Sequence, residues 1–438
     1  MAVTEKTYHD DLAIVQEELD KCMKCGNCMA VCPVYGVDKV ESAVTRSKIA
    51  VAEAVLAGDL ELDDPQVYAM LFNCLVCKSC MTNCPTKVNF DRIMLALRAA
   101  LVRKNGLPWL KKAIFSTLKH PKLFDAGLRV GAAMQGLAFK TEKGGKTISP
   151  RAPFARVGSS MGFDSDRQMP SLTITPLRER VPEIVRAPGA TIKVAFFTGD
   201  SLNYFYPDAG KDLIDVLIAN NIEVHIPKGQ NCCGVPVLVH GDIDTARTLA
   251  RNNIDTFEAT GCDYLITGCG SCGSAWQHDY VELLAMDPVY GPKAREWSNR
   301  TYDITTFLTR VIKLREPKGR IERTVTYHDS CHLKKSMQVF VEPREILKSI
   351  PGLIFKEMSP PDSCCGSGGS FVLSHYDTSS AIGKKKAEDI NRTQADTVST
   401  GCPACMMQLL DNINRGGGRQ DVVHTISLLA ESYRKGKQ

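Results

Sequence analysis

Two runs of four cysteines near the amino end constrain this chain more than any other feature. Each run has the spacing Cys-x2-Cys-x2-Cys-x3-Cys-Pro, and the cysteines are Cys22, Cys25, Cys28 and Cys32, then Cys74, Cys77, Cys80 and Cys84. Cysteines separated by two residues can bind one inorganic group from a single turn of the chain. The proline after the fourth cysteine turns the backbone away from that group. This region is therefore expected to fold around shared metal groups.

The spacing is that of bacterial two-cluster ferredoxins, in which the fourth cysteine of each run binds the other cluster. We predict two [4Fe–4S] clusters, cluster one held by Cys22, Cys25, Cys28 and Cys84, and cluster two by Cys74, Cys77, Cys80 and Cys32. Structural zinc sites usually take two separated pairs of ligands, which these runs do not form. The 41 residues between the runs have Ala, Val and Leu at helical spacing, so an all-helical domain is expected.

A second feature is an internal repeat in the carboxyl half. Cys232-Cys233-Gly234 matches Cys364-Cys365-Gly366, and a Cys-x2-Cys pair follows each after 34 and 35 residues, at Cys269 and Cys272 and at Cys402 and Cys405. In both copies short β-branched runs alternate with helical patterns, which is typical of an α/β fold. The expected fold class is thus an N-terminal all-α ferredoxin-like domain with two [4Fe–4S] clusters, followed by an α/β domain made of two tandem Cys-Cys-Gly repeats.

The second copy contains a fifth cysteine, Cys331, and all five are expected at strand ends or helix starts. Cys402 and Cys405 should lie near a helix N-terminus, whose free N–H groups stabilise thiolate charge. His328 and His332 flank Cys331, and His240 follows the first Cys-Cys-Gly, so each is a candidate hydrogen-bond donor to a cluster sulfur or an ordinary loop histidine.

The first copy lacks the fifth cysteine, because Asp200 stands at the position that matches Cys331. Its other cysteines are predicted metal ligands, and they are Cys232, Cys233, Cys269 and Cys272. They leave open a cubane cluster, a cluster with Asp200 as an oxygen ligand, a zinc ion, or no metal. Cys262 matches Ala395 and is interpreted as a small buried apolar residue.

The boundaries predicted from composition divide the chain into four segments. Residues 1–105 form the ferredoxin domain, 106–190 a helical segment and linker, 191–315 the first repeat and 316–438 the second. The helical segment from Leu107 to Lys140 is apolar and basic, and it suits contact with an anionic membrane surface, a partner subunit or a neighbouring helix. The stretch from there to Gly189 is rich in Gly, Pro and Ser and is interpreted as a linker.

The chain has 18 cysteines, most of them in short-spaced clusters, and it shows no secretory signal and no long apolar run, which predicts a metalloprotein of the reducing cytoplasm. The net charge of +5 is ordinary for a globular chain, so no nucleic-acid partner is expected.

Nearly the whole sequence resembles the Cys-Cys-Gly domain iron–sulfur proteins. These include heterodisulfide reductase subunits, the iron–sulfur subunits of glycolate oxidase and lactate utilisation, and one of the subunits of anaerobic glycerol-3-phosphate dehydrogenase. The stretches VAFFTGDSLNYFYPDAGKDLIDVLIANN and NCCGVPVLVHGD are most similar to the glycerol-3-phosphate enzyme, whereas YHDSCH and SCCGSGG are general to the family. The resemblance implies a noncubane [4Fe–4S] cluster at Cys331, Cys364, Cys365, Cys402 and Cys405.

No flavin or nicotinamide motif is found beside these electron carriers, so substrate oxidation is expected on another polypeptide. The leading hypothesis is an electron-transfer subunit of a flavin-dependent dehydrogenase complex. It would pass electrons between an FAD-containing partner and a quinone or other carrier. The partner would act on glycolate, lactate or glycerol 3-phosphate. A peripheral position on the inner face of the cytoplasmic membrane is an open alternative to a free cytoplasmic one. One alternative is a catalytic subunit that reduces a disulfide at a noncubane cluster, against which Asp200 argues, and another is a docking subunit of a redox assembly.

Overall fold

A computed structural model describes residues 15–142, 147–158 and 166–437 of the chain. From residue 15 to 138 every regular element is helical, as the spacing predicts for this part. The α-helices are Gln16–Asp20, Asn27–Val31, Pro33–Asp38, Thr45–Ala57, Pro65–Phe72, Ser79–Thr82, Phe90–Asn105, Trp109–Leu118 and Pro121–Ala138, with a short 3-10 turn at Glu41–Ala43.

The ferredoxin region has its own apolar core, formed by one face of each longer helix. Ile49, Ala52 and Val55 follow one another at helical spacing on helix Thr45–Ala57, and they pack with Ile93 and Leu97. Several cysteines of the two runs pack at the edge of this core. The helical core therefore fixes the ends of the segments that carry the cysteines.

The segment interpreted as a linker contains regular structure that the sequence analysis does not predict. A small antiparallel sheet is formed by β1 (Phe139–Glu142), β2 (Thr147–Pro150) and β3 (Met169–Pro170), in that order. Helices Ala152–Gly158 and Leu177–Arg180 follow in the described parts. In the described parts of this segment, the Gly and Pro residues accompany short strands and turns.

The first repeat forms a five-stranded sheet in the order β4-β6-β5-β7-β8, with β4 antiparallel and the others parallel. The strands are β4 (Ile184–Val185), β5 (Ile192–Phe197), β6 (Ile222–His225), β7 (Tyr264–Thr267) and β8 (Thr301–Asp303). The α-helices between and after them are Pro207–Ala219, Val235–Leu238, Ile243–Glu258, Gly270–Ser274, Tyr280–Leu283, Tyr290–Asn299 and Ile304–Thr306.

The second repeat forms a parallel sheet in the order β10-β9-β11-β12. The strands are β9 (Arg323–Tyr327), β10 (Leu353–Phe355), β11 (Thr397–Thr400) and β12 (Asp421–His424). The α-helices are Glu342–Ser349, Phe371–Ser374, Tyr376–Arg392, Pro403–Arg415 and Thr425–Lys435. Its strand order repeats that of β6, β5, β7 and β8, which is the arrangement expected of a tandem duplication.

Buried side chains of both repeats mix in the same apolar clusters. Leu265 of β7 and Val398 of β11 belong to one cluster, and Val194 of β5 and Val325 of β9 belong to another. The two sheets are therefore packed as one α/β body. The loops at the carboxyl ends of their parallel strands, where α/β folds usually bind ligands, carry Asp200, Cys269, Cys331 and Cys402.

Candidate metal centres

Two adjacent pockets in the ferredoxin region are lined by the two predicted ligand sets. The first pocket contains Cys22, Cys25, Cys28 and Cys84. The second contains Cys32, Cys74, Cys77 and Cys80, and Cys80 also reaches the first. The fold thus brings the fourth cysteine of each run to the other run, as the ferredoxin pattern predicts.

Four thiols facing one pocket match the donor set of a [4Fe–4S] cluster, so both pockets fit such a group. The environments of the thiols in the second pocket differ. Burial raises the pKa of Cys32 to about 11. The Cys364 thiol, from the second repeat, donates a hydrogen bond to the Cys77 sulfur and lowers the pKa of Cys77 to about 5. The second pocket therefore has a candidate ligand, Cys77, that contacts the Cys-Cys-Gly domain.

The second repeat brings its five cysteines into one group, in which Cys331 is half-buried and the other four are buried. The thiol of Cys364 lies within hydrogen-bonding reach of those of Cys331 and Cys365, and the thiol of Cys405 lies within reach of both Cys365 and Cys402. These hydrogen bonds hold the pKa of Cys365 and Cys402 well below the ordinary thiol value. Thiolates are the metal-binding form of cysteine, so the group is suited to an iron–sulfur cluster.

Local backbone structure explains how these cysteines meet. Cys402 immediately precedes helix Pro403–Arg415, and the backbone N–H of Cys405 donates to its sulfur. Gly366 has φ of +88°, and a Cβ atom there would lie 2.3 Å from the carbonyl oxygen of Ser379. Only glycine fits this position, which lets the cysteine pair approach helix Tyr376–Arg392.

His328 is fully buried at the same centre. One of its ring nitrogens and the sulfurs of Cys365 and Cys405 all lie within 4.8 Å of one another. His332 has a different environment, because its Nδ1 lies 3.1 Å from the Ser271 hydroxyl and burial lowers its pKa to about 4. His328 is therefore placed to act on the second centre as a ligand or a hydrogen-bond donor.

His240 is not grouped with cysteines. Its Nε2 lies 2.6 Å from the Ser370 hydroxyl, and its ring packs on Phe72 and Phe115. This is the ordinary packed environment that the sequence analysis left open for it. Cys262 is also separate, because it is buried and its thiol faces the Thr260 carbonyl at 3.9 Å.

The first repeat brings Asp200 together with its four cysteines. The Cys232 thiol donates to the Asp200 carboxylate, Cys272 donates to Cys233, and Cys269 is hydrogen-bonded to Cys272. Burial raises the pKa of Asp200 to about 6. The carboxylate thus stands where the fifth thiol of the second repeat stands, and the donor set is four sulfurs and one oxygen.

Glycine also shapes the first centre. Gly199, just before Asp200, has φ of +57°, and a Cβ atom there would lie 2.9 Å from the Cys272 sulfur. The backbone of the loop after β5 therefore runs directly against the thiol group.

The thiols of the second ferredoxin pocket, the second repeat and the first repeat form one connected series. Cys364 donates to Cys77 of the second ferredoxin pocket, and Cys269 of the first repeat donates to Cys402 of the second. The cysteines of the second repeat therefore contact both the second ferredoxin pocket and the cysteines of the first repeat. Sequence spacing contains no information on these two contacts, because they join residues far apart in the chain.

Buried cations beside the ferredoxin pockets are a further feature that the sequence analysis missed. Lys48 and Arg98 are buried near the second pocket, and the half-buried Lys335 interacts electrostatically with Cys331 and Cys77. A signal for Lys48 exists, since it shares the helical register of Ala52 and Val55, which face the core.

Comparison with known proteins agrees with this organisation. A model of the 4Fe-4S dicluster domain matches residues 18–88, and a model of the CCG cysteine-rich domain matches residues 194–276 and 325–410. The probable glycolate oxidase iron-sulfur subunit of Bacillus subtilis (strain 168) is 30% identical over 427 residues, covering 95% of this chain and 94% of that protein. The chain belongs to the Cys-Cys-Gly domain iron–sulfur protein family.

Two other members of the family match part of the chain. One of the subunits of the fumarate reductase (CoM/CoB) of Methanothermobacter marburgensis is 37% identical over 254 residues, which are 58% of this chain and 48% of that protein. Lactate utilization protein A 2 of Bacillus cereus (strain 03BB102) is 29% identical over 244 residues, 56% of this chain and all of that protein.

Membership confirms the predicted ferredoxin-type region with two Cys-Cys-Gly repeats, and it identifies the chain as an iron–sulfur protein of electron transfer. Within the described parts of the chain, no helix has the length and apolar character needed to cross a membrane.

Proposed function

We propose that this chain is the iron–sulfur subunit of a flavin-dependent dehydrogenase complex that oxidises a 2-hydroxy acid, such as glycolate or lactate, or glycerol 3-phosphate. It would pass electrons between an FAD-containing partner subunit and a quinone or another carrier. The observation that carries the proposal is the connected series of thiols, because Cys77 meets Cys364 and Cys402 meets Cys269. Clusters whose cysteine ligands contact one another would lie next to one another, as electron transfer between them requires.

The proposed ligand sets are those of the sequence analysis. Cluster one is held by Cys22, Cys25, Cys28 and Cys84, and cluster two by Cys74, Cys77, Cys80 and Cys32. A noncubane [4Fe–4S] cluster is held by Cys331, Cys364, Cys365, Cys402 and Cys405. When bound, such clusters supply one-electron redox chemistry, and the protein sets their exposure and surrounding charge.

For the first repeat we propose a further [4Fe–4S] cluster held by Cys232, Cys233, Cys269 and Cys272. The support is the buried sulfur donor set, in which the four thiols lie within hydrogen-bonding reach of one another in series. A zinc ion at the same ligands and a cluster with Asp200 as an additional ligand are the competing outcomes. The proposed domain boundaries are residues 105, 190 and 315.

Anaerobic purification from the native host, with iron, sulfide and zinc measured per chain, tests the cluster content. About 12 irons together with a copurifying flavoprotein support two ferredoxin clusters and one Cys-Cys-Gly cluster. About 16 irons support a loaded first repeat as well. About eight irons with zinc and no flavoprotein would contradict the dehydrogenase proposal and favour a docking subunit.

A second candidate function is disulfide reduction, which is favoured by the contact between Cys269 and Cys402 because it brings both Cys-Cys-Gly centres together. A relative named fumarate reductase (CoM/CoB) also belongs to the family. Asp200, which replaces one thiol of the first centre, argues against it. Reduction of a disulfide substrate by the purified chain with reduced viologen, at a rate lost in Cys331→Ser, would establish this second function.

We also propose that the protein is cytoplasmic and lies at the inner face of the membrane. Helices Trp109–Leu118 and Pro121–Ala138 expose bulky apolar side chains, including Trp109 at 80% and Leu137 at 76% exposure. Lysines on the same segment would favour an anionic lipid surface.

Flotation of the full chain with anionic vesicles tests this location. Trp109→Ser combined with Leu137→Ser should abolish binding, whereas Met286→Ser, which changes a methionine of 93% exposure elsewhere on the surface, should not. Binding that is equal for all variants would contradict the proposed surface. Loss of flavoprotein copurification in the first variant alone would assign the surface to the partner subunit.

A further inference from the structure

A lysine is completely buried beside the second ferredoxin pocket. Lys48 lies on helix Thr45–Ala57 and has 0% exposure. Its ammonium donates to the carbonyl oxygens of Ala43 and Asn73, the latter at 3.2 Å. The Cys32 thiol donates to the same Ala43 carbonyl at 3.9 Å. Since Asn73 directly precedes Cys74, the ammonium lies between two ligands of cluster two that come from different cysteine runs.

A second buried cation contacts the same ligand segment. Arg98 has 3% exposure, and its Nη2 donates to the carbonyl oxygens of Cys74 at 2.9 Å and Leu71 at 2.8 Å. Its Nη1 donates to the Val239 carbonyl of the first repeat at 2.6 Å. Arg98 therefore fixes the backbone of a cluster-two ligand and joins it to the α/β body.

Neither cation has an acidic partner among the described residues. The groups that act on Lys48 include Cys74, Cys32, Arg98 and Cys80, and those that act on Arg98 include Cys74 and Tyr68, with Lys111 as a further cation nearby. A buried charge without a counter-charge is strongly unfavourable. The thiolates of cluster two, together with the anionic cluster that they would hold, supply the missing negative charge.

The cations beside the first pocket are different. Lys24 is exposed and pairs with Glu53 at 2.8 Å. Arg46 pairs with Glu41 at the surface. Solvent and these carboxylates screen their charge, so they act only weakly on cluster one. The two pockets therefore have the same thiol donors and unequal electrostatic environments.

We propose that Lys48, with Arg98, raises the reduction potential of cluster two above that of cluster one. Reduction adds one negative charge to a cluster, and a nearby buried cation stabilises that charge because the surroundings screen it little. Electrons that enter at cluster one would then collect at cluster two, whose ligand Cys77 touches Cys364. This inference rests on the proposed electron-transfer function and gives it a direction, from the ferredoxin clusters toward the Cys-Cys-Gly centres.

Redox titration of the full chain, followed by the EPR signal of each cluster, tests the inference. The cluster-two signal is assigned by its change in Cys77→Ser. In Lys48→Met we expect the ratio of reduced to oxidised cluster two at a fixed potential to fall about tenfold, or about 59 mV for one electron. The ratio of reduced to oxidised cluster one should change by less than about twofold, because Lys48 lies beside the ligands of cluster two and its charge is screened over distance.

Two variants make the result specific to charge. Lys48→Gln keeps a hydrogen-bond donor without the charge and should show the same fall as Lys48→Met. Lys24→Met removes a paired surface cation beside cluster one and should leave cluster two unchanged.

An unshifted cluster two in loaded Lys48→Met protein would overturn the inference, and so would equal shifts of both clusters. Loss of cluster two in both Lys48→Met and Lys48→Gln would also overturn it, since the ammonium would then hold the loop and not tune the potential. These outcomes differ from failure of the proposed function, in which no flavoprotein would copurify with the unaltered chain, whatever the potentials of its two ferredoxin clusters.

Discussion

Replacing Arg344 by leucine tests how strongly a buried ion pair holds the loop that carries Cys331. The Arg344 guanidinium binds Asp329 with Nη1 at 2.7 Å and Nη2 at 3.1 Å. On its other side it binds Glu357 at 2.7 and 2.8 Å. The two carboxylates have equally good geometry and unequal burial, because the side chain of Asp329 is 1% exposed and that of Glu357 is 48% exposed.

Breaking a buried pair leaves an uncompensated charge, which costs about 3–5 kcal/mol. For Arg344→Leu we expect about 3 kcal/mol, at the lower end of that range, because Lys334 remains 3.4 Å from Asp329. Glu357→Gln removes the exposed partner of the same guanidinium, and it should cost only about 0.2–1 kcal/mol.

Hydrogen exchange measured by mass spectrometry is the suitable assay, since a chain with several metal centres need not unfold in a two-state manner. Backbone amides of the peptide that contains β9 should exchange about two orders of magnitude faster in Arg344→Leu, and less than about tenfold faster in Glu357→Gln. Equal protection in both variants would refute the reasoning that burial decides the strength of these pairs. A peptide from helix Phe90–Asn105 serves as the internal reference.

Three shorter predictions concern the repeats. Gly366→Ala should remove the second Cys-Cys-Gly cluster from the iron count, because its Cβ would clash with Ser379, whereas Gly369→Ala, at φ of +61° with open space around it, should keep the cluster. Cys331→Ser should alter the EPR signal of that centre and leave the ferredoxin signals intact; equal loss of all signals would contradict separate centres. Burial raises the pKa of Asp303 from 3.8 to about 6, so stability should fall as the pH rises between these values. Thermal unfolding from pH 4 to 7 should show this fall, and Asp303→Asn should remove it and be roughly 3 kcal/mol more stable at pH 7.

The cysteine spacing determined the iron–sulfur character of the chain and its family, because short-spaced thiols converge on one group in almost any local backbone structure. The matched Cys-Cys-Gly and Cys-x2-Cys motifs predicted the repeat, and the strand orders of the two sheets agree with it. Alternating β-branched and helical patterns predicted the α/β class, because the periodicity of apolar residues along a strand or helix follows which of its faces is buried.

The segment interpreted as a linker shows that local composition is insufficient to predict strand pairing. Its Gly, Pro and Ser residues are typical of a linker, but the pairing of β1, β2 and β3 depends on strands that meet only in the folded chain. Similarly, the helical register of Thr45–Ala57 puts Lys48 on the face of Ala52 and Val55, but it does not show which groups lie opposite the lysine. A lysine is normally exposed, and its burial depends on what lies opposite it.

By itself, the sequence determined which residues are able to bind metal. Only the tertiary structure decided that Asp200 joins the thiols of the first repeat, that Cys77 meets Cys364, and that Cys269 meets Cys402. The physical reason is that ligand spacing is a local property of the chain, whereas contact between centres and the charge around them arise from packing of segments that are distant in sequence.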